Sequence, residues 1–304
     1  MTDTADAALV PHASDEVNDA RPVSAEAWRS LRANPLFWIS ATLILVFVLM
    51  AAWPSLFTTL DPRTSVLAEA RRGPSSEHWF GQDRQGYDLY TRCIYGARAS
   101  ILVGLTATIG TSVVGVTLGL IAGYMGGWVD AVISRFAEIF FGIPLLLGAI
   151  IILQSVSFGN SYFAIVGQVA AVLIVLGWPS IFRLMRSAVI QVKPQEYVQA
   201  ARALGCSPLR IARSHILPNA LGPVIVVSTI NLGVFISAEA ALSFLGIGLR
   251  PPTVSWGVMI SDGAGAMQSA PHGLLFPSLF LSLAVLAFIM LGDAIRDAFD
   301  PKSK

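Results

Sequence analysis

The sequence predicts an all-α polytopic membrane protein with six transmembrane helices and both termini in the cytoplasm. Three observations carry that prediction. Of 304 residues, 54% are hydrophobic and only 13% charged, about half the charged share of a soluble domain. So little charge cannot cover a water-soluble globule of this length, which excludes a soluble enzyme, and the apolar content excludes a disordered chain. Six stretches have the apolarity and length of a bilayer-spanning helix, about 20 residues each. Finally, Lys and Arg collect between the fourth and fifth stretches, which sets an orientation. The net charge of +1 gives no reason to expect a nucleic-acid partner.

Residues 1–35 form a polar tail, acidic at Asp3, Asp6, Asp15, Glu16 and Asp19, expected to lack stable order. The tail has neither the basic start nor the short apolar core of a secretory signal, so the first span is read as uncleaved. The spans fall at 36–57, 100–123, 131–154, 162–181, 221–245 and 274–294. Only 155–161, rich in Ser, Gly and Asn, separates the third from the fourth, as a tight turn would. Residues 88–98 suit a helix lying in the outer interface. Leu89, Cys93 and Ala97 share one face, and Asp88 and Arg92 form an i,i+4 pair. The chain thus divides into a cytoplasmic tail (1–35), a first span with an external segment (36–98), a five-helix core (99–294) containing loop 187–220, and a cytoplasmic end (295–304).

Several residues inside the spans have structural meanings. Gly115, Gly119 and Gly123 repeat at the spacing that lets two helices approach closely. Pro144 should kink the third span. Arg135 and Glu138, at an i,i+3 spacing, suit an interfacial anchor. In the fifth span Glu239 is a lone interior acid, with Asn231 about two turns away. A buried carboxylate is expensive unless paired. Two readings stay open for this pair: the lining of a polar pathway, or hydrogen bonds that hold the bundle.

Loop 187–220 carries Lys193, Arg202, Arg210 and Arg213, and Arg183 and Arg186 just precede it, against the single acid Glu196. It should be cytoplasmic. Arg29 and Arg32 before the first span, and Lys302 and Lys304 after the last, agree with that side. Residues 58–98 oppose it with six arginines, yet the alternation of spans puts them outside. Cys93 and Cys206 then lie on opposite sides and cannot pair. Two cysteines make neither a disulfide framework nor a zinc site. No lysine follows a Gly-rich loop and no His-Glu-x-x-His occurs, so neither a P-loop nor zinc hydrolysis is expected, and no cofactor is expected.

The loop reads as helix, bend, helix. Pro194 suits a first helical turn, and Tyr197, Ala200, Ala201 and Leu204 follow at i, i+3, i+4 and i+7 as one apolar stripe. Gly205 can stop that helix in the left-handed conformation. Ser207 and Pro208 can cap and start a second, which Pro218 closes. The stripe fits packing on its own bundle as well as docking to a cytoplasmic partner.

The run Gln199-Ala200-Ala201-x-x-x-Gly205, then nine residues to His215 and Ile216-Leu217-Pro218, resembles the EAA loop of bacterial ABC importer permeases. It departs at Gln199, where that loop usually has Glu, and at His215, where it usually has Ile. Residues 78–101, 239–260 and 291–302 resemble the same family in its dipeptide and oligopeptide branch, with Gln82 and Tyr87 replacing the usual Thr and Arg. The resemblance implies a type I importer permease without ATPase activity of its own. It implies a homologous second permease, two ATP-binding subunits, an extracytoplasmic substrate-binding protein and a peptide substrate as partners. It places Tyr197, Gln199, Ala200, Ala201, Leu204 and Gly205 in the helix that couples to the ATP-binding subunit. Gln199 puts a charge-dependent contact there in question, not the docking mode. A gradient-driven secondary transporter or channel is the rival, but it calls for midplane charge pairs and an internal repeat, and neither is evident. An intramembrane protease lacks its catalytic His or Asp pair within any span.

Overall fold

The computed structural model describes residues 23–299. The acidic residues of the tail, and Lys302 and Lys304, lie outside the described residues. Within the described residues there is no sheet, only two isolated antiparallel bridges, Ser65 with Tyr87 and Gln82 with Asp88. Part of the tail differs from expectation. Residues Val23–Ala33 form a helix, α1, and lie beside the last helix of the chain. Asn34 then caps α2 (Pro35–Ala52), its side chain accepting from the Leu36 N–H at 2.9 Å, with Pro35 preset for the first turn. Helix α2 stops short of residue 57 because Pro54 disfavours helix at Trp53 and a 3₁₀ turn, Pro54–Leu56, takes over.

The second span is longer than the apolar pattern indicates. Helix α3 runs Leu89–Met125, 37 residues, about 55 Å at 1.5 Å per residue. It absorbs the segment expected to lie flat in the interface. Leu89, Cys93 and Ala97 do share a face, but that face is buried in the bundle. The expected Asp88–Arg92 pair does not form. Asp88 is the N-cap, accepting from Thr91 N–H at 2.8 Å, and Arg92 turns to Asp83 instead.

The third span is broken, not kinked. Helices α4 (Gly127–Phe141) and α5 (Leu145–Ser155) meet at 88°. Pro144 lacks an N–H and excludes helix at Ile143, and Gly142 caps α4, so the chain turns sharply. Among the described residues five helices are long and apolar enough to cross a bilayer, six if the broken pair counts as one span. Arg135 and Glu138 pair at 2.9 Å on α4.

Helix α6 (Tyr162–Val192) starts at the Ser161 cap and packs along α3. Here Gly115, Gly119 and Gly123 face Ile181, Met185 and Val189. A Cβ at any of the three would lie 2.6–2.8 Å from those side chains, so only glycine permits this approach. After α7 (Glu196–Ala203) and α8 (Pro208–Ile211), a π turn at Ala212–Ile216 leads into α9 (Leu217–Phe244). Pro218 therefore does not close a helix. The Leu217 N–H reaches back to the Ala212 carbonyl, and the widened turn accommodates a residue without a donor. Helix α10 (Trp256–Ala264) lies against the start of α11 (His272–Phe299). Trp256, fully buried, donates to the Cys93 carbonyl at 2.9 Å and joins α10 to α3.

Candidate coupling loop and polar sites

The segment after α6 is positioned by its caps. Gln195 opens α7, and Pro194 lies in the preceding turn, not in the helix. The Gly205 N–H bonds the Arg202 carbonyl and the Cys206 N–H bonds the Ala201 carbonyl, the paired closure of a glycine-terminated helix. Gly205 has φ +79°, a conformation costly for any residue with a side chain. Ser207 caps α8, accepting from the Arg210 N–H at 3.4 Å, and Pro208 takes its first position.

The expected stripe divides between two faces. Val198 (0% exposed) and Ala201 (6%) pack with Ile211, Ile216, Ala220 and the end of α6. Tyr197 (44% exposed) and Leu204 (85%) point away, as do Gln199 and Ala200, and Leu209 is 66% exposed on α8. One face holds the loop to its own bundle, and the apolar side chains of Tyr197, Leu204 and Leu209 on the other are uncovered. Val198 was not legible in the stripe because Val198 and Ala201 form a second, narrower i,i+3 pair. Their partners, Ile211 and Ile216, lie beyond the bend.

The chain reaches this loop with unbalanced charge. Asp130 of α4 is held by Arg186 of α6 through Nε and through Nη2 at 2.6 Å. Lys193 donates to the Tyr124 carbonyl at 2.7 Å, a neutral acceptor. Among the described residues Arg202 has no ion-pair partner, and it is exposed.

Glu239 is fully buried on α9. Its Oε1 accepts from the Ser243 hydroxyl at 2.7 Å. Ser100 of α3 and Ser255, the cap of α10, face the same carboxyl group, while Oε2 has no direct partner. Asn231 is half-buried further along α9. The two do not come together in one site. Between α3, α9 and α11 lies an open groove of about 540 Å³, mainly apolar, with Thr108, Ser112, Ser228 and Thr229 as its polar positions. The Ser112 and Ser228 hydroxyls bond at 2.8 Å across it.

At the opposite end, residues 58–88 form a compact cap over the start of α3. Asp83 and Arg92 pair at 2.7 Å, each side chain 9% exposed. Asp83 also accepts from the Gln85 and Tyr87 N–H groups. His78 Nδ1 lies 2.9 Å from Asp88. Gln82 donates to Glu69 at 2.9 Å, and that bond, aided by Arg72 and His78 and opposed by partial desolvation, holds the Glu69 carboxyl below its usual range. Arg84 lies 3.6 Å from Asp262, whose carboxyl burial pushes up. Arg98 donates to the Ala51 and Ala52 carbonyls. Four of the six arginines that opposed the orientation rule are thus tied within the protein, by Asp83, Glu69, Asp262 and the end of α2.

Comparison with known proteins agrees with this architecture. The model of the family described as binding-protein-dependent transport system inner membrane component matches residues 115–304. That of the N-terminal TM domain of oligopeptide transport permease C matches residues 24–74. The chain is 42% identical to a dipeptide transport system permease protein of Alkalihalophilus pseudofirmus, covering 92% of this chain and 90% of the relative. It is 36% identical to an oligopeptide transport system permease protein of Bacillus subtilis, covering 95% of each. A glutathione transport system permease protein of Pectobacterium atrosepticum is 34% identical over 92% of this chain and 91% of its own length. Among solved structures, the MetNI methionine ABC transporter in an inward-facing conformation matches with TM-score 0.55 and 20% identity, over 68% of this chain and 96% of that one. That last likeness concerns the fold alone.

The chain belongs to the binding-protein-dependent transport system inner membrane component family. It is a multi-pass permease subunit of a bacterial ABC importer, set in the inner membrane.

Proposed function

We propose that the chain forms half of the translocation pathway of a peptide importer and takes its driving force from separate ATP-binding subunits through α7. The observation that carries this reading is the uncovered apolar face of α7 and α8, with Leu204 85% exposed beside a glycine bend at φ +79°. A face of that kind on a polar loop fits a helix seated in a partner's cleft. Val198 and Ala201 anchor the same helix to α6 and α9, so a push on α7 is delivered to two spans. Tyr197, Gln199, Ala200, Leu204 and Gly205 make the contact or its bend, and Ala201 transmits it. Closure of the ATP-binding pair would switch the bundle between two packings by rigid-body movement.

The basic loop and both chain ends lie in the cytoplasm in this reading, and the cap of residues 58–88 lies outside, where a substrate-binding protein delivers the cargo. A second, homologous permease completes the pathway, with the α3–α9–α11 groove on the face toward it. Glu239 packs inside the bundle, hydrogen-bonded to Ser243 of its own helix, and in this reading does not line the path. Its complete burial supports that reading. Asn231, half-buried, remains the candidate for the path. Peptide cargo is supported by the names of the relatives at 42% and 36% identity.

Purification of the tagged chain in mild detergent tests this. The expected result is recovery of a second permease and ATP-binding subunits, with ATP hydrolysis stimulated by di- or oligopeptides in the presence of the binding protein. A chain that purifies alone without ATPase activity would return the gradient-driven transporter to first place.

A further inference from the structure

A cavity of about 410 Å³ opens where the end of α3, the start of α4, the end of α6 and α7 meet. Its charged lining residues are Asp130, Lys193 and Arg202, and Gln199 stands beside them. Asp130 is neutralised from within the fold by the Arg186 guanidinium, through Nε and Nη2, and also accepts from the Ser134 hydroxyl. Among the described residues Lys193 reaches only the Tyr124 carbonyl and the face of its ring. Arg202 has no ion-pair or hydrogen-bond partner among the described residues. The cavity therefore holds two uncompensated cations and one free carboxamide donor. At Gly126, where φ is +68°, a Cβ would meet nothing within 4 Å, so this wall is open and not filled by the chain itself. Gln199 and Arg202, on one wall of the cavity, belong to the short helix whose C-cap is exposed Leu204.

We propose that this cavity receives an acidic side chain of the ATP-binding subunit, held between Lys193 and Arg202, as the polar counterpart of the apolar contact at Leu204. The proposal rests on the coupling reading of α7. Charge complementarity selects the occupant. Along the exposed part of the loop, residues 196–213, Arg202, Arg210 and Arg213 stand against Glu196 alone, so a partner surface that fits the loop is acidic. Two cations and an amide at one mouth match the two oxygens of a carboxylate. Gln199 adds a donor without adding a negative charge that would repel it.

The test uses the whole transporter in two sets of nanodiscs, one of phosphatidylcholine alone and one containing phosphatidylglycerol, with its own ATP-binding subunits titrated onto the permease pair. Arg202→Glu should weaken their binding about tenfold or more and Lys193→Gln by less, and the wild-type affinity should fall with added salt. A reciprocal acid-to-lysine change on the ATP-binding subunit should restore binding to Arg202→Glu. Unfolding midpoints should match the wild type for Arg202→Glu, since that side chain makes no hydrogen bond or ion pair among the described residues. Unchanged affinity in both variants overturns the proposal. So does a result in which the variants are silent and only replacement of phosphatidylglycerol by phosphatidylcholine weakens binding, which would make the cavity a lipid-headgroup site. If Leu204→Ala weakens binding and the charge variants do not, the cavity proposal fails while docking through α7 stands. If the wild-type pair binds no ATP-binding subunit, docking itself fails.

Discussion

Asp83 and Arg92 meet at 2.7 Å with both side chains 9% exposed. At the other end of α3, Leu204 is 85% exposed, and Arg202 beside it has no partner among the described residues. The two regions have opposite plans. In the cap of residues 58–88 most charged groups have a partner within the chain, and the backbone is held by bridges and side-chain bonds. In the α7–α8 segment one apolar face is buried, and the other face and its cations are left uncovered. A region that satisfies itself can be stable alone. A region that leaves apolar surface and charge unmatched acquires its full set of contacts only with a partner. The cost of mutation should therefore appear as lost stability at the cap and as lost coupling at the loop.

Substitutions at four positions test that contrast, ordered by their expected effect on the folded bundle. Asp83→Ala leaves Arg92 buried and unpaired, which should cost about 3–5 kcal/mol. Thermal unfolding in detergent reads it, and a midpoint within error of wild type would show that the cap does not hold its charges as described. Gly119→Val places a Cβ 2.8 Å from the Met185 side chain and from the Phe182 carbonyl. Overpacking there should cost about 1–3 kcal/mol and lower the unfolding midpoint.

Gly205→Val has a different signature. A Cβ at this position meets nothing within 4 Å, so the cost is conformational only, about 1–2 kcal/mol confined to the bend. The bundle should stay folded while peptide uptake is lost and ATP hydrolysis continues. Gly205→Asn, which tolerates positive φ better, should fall between. Normal uptake by the valine variant would remove α7 from the coupling role. Leu204→Ala should change stability by no more than about 0.5 kcal/mol, yet weaken association with the ATP-binding subunits.

A smaller effect concerns pH. The Gln82 amide, with Arg72 and His78, holds the Glu69 carboxyl below its unfolded value. Its contribution is present at neutral pH and is lost as pH falls through the lowered folded-state value. Hydrogen exchange of residues 65–88 should therefore quicken on acidification below the carboxylate range. Glu69→Gln should flatten that response.

What the sequence made legible follows from the range of the interactions involved. The centres of the spans, the Gly205 bend and the Ser207–Pro208 start rest on local physics: apolar length, positive φ and capping. They appear where the pattern puts them. The glycine spacing in α3 likewise announced the close approach to α6. The extension of α3 back to Leu89 was hidden, because Thr91 and Arg92 read as interfacial until their partners, Asp88 and Asp83, are known. The break between α4 and α5 was visible as Pro144, but not its 88° size, which depends on Gly142 and on packing against α6. The cavity at Lys193 and Arg202 required knowing that Asp130, over 50 residues away, is already engaged by Arg186.

The most direct measurement is a cross-link. Leu204→Cys in a background with Cys206→Ser should join the chain to an ATP-binding subunit through a short bismaleimide in native membranes, with a yield that changes when ATP is bound. Trp79→Cys, in the cap at the other end, should give no such product. A cross-link to the ATP-binding subunit from position 79 and none from position 204 would contradict both the orientation and the coupling role assigned to α7.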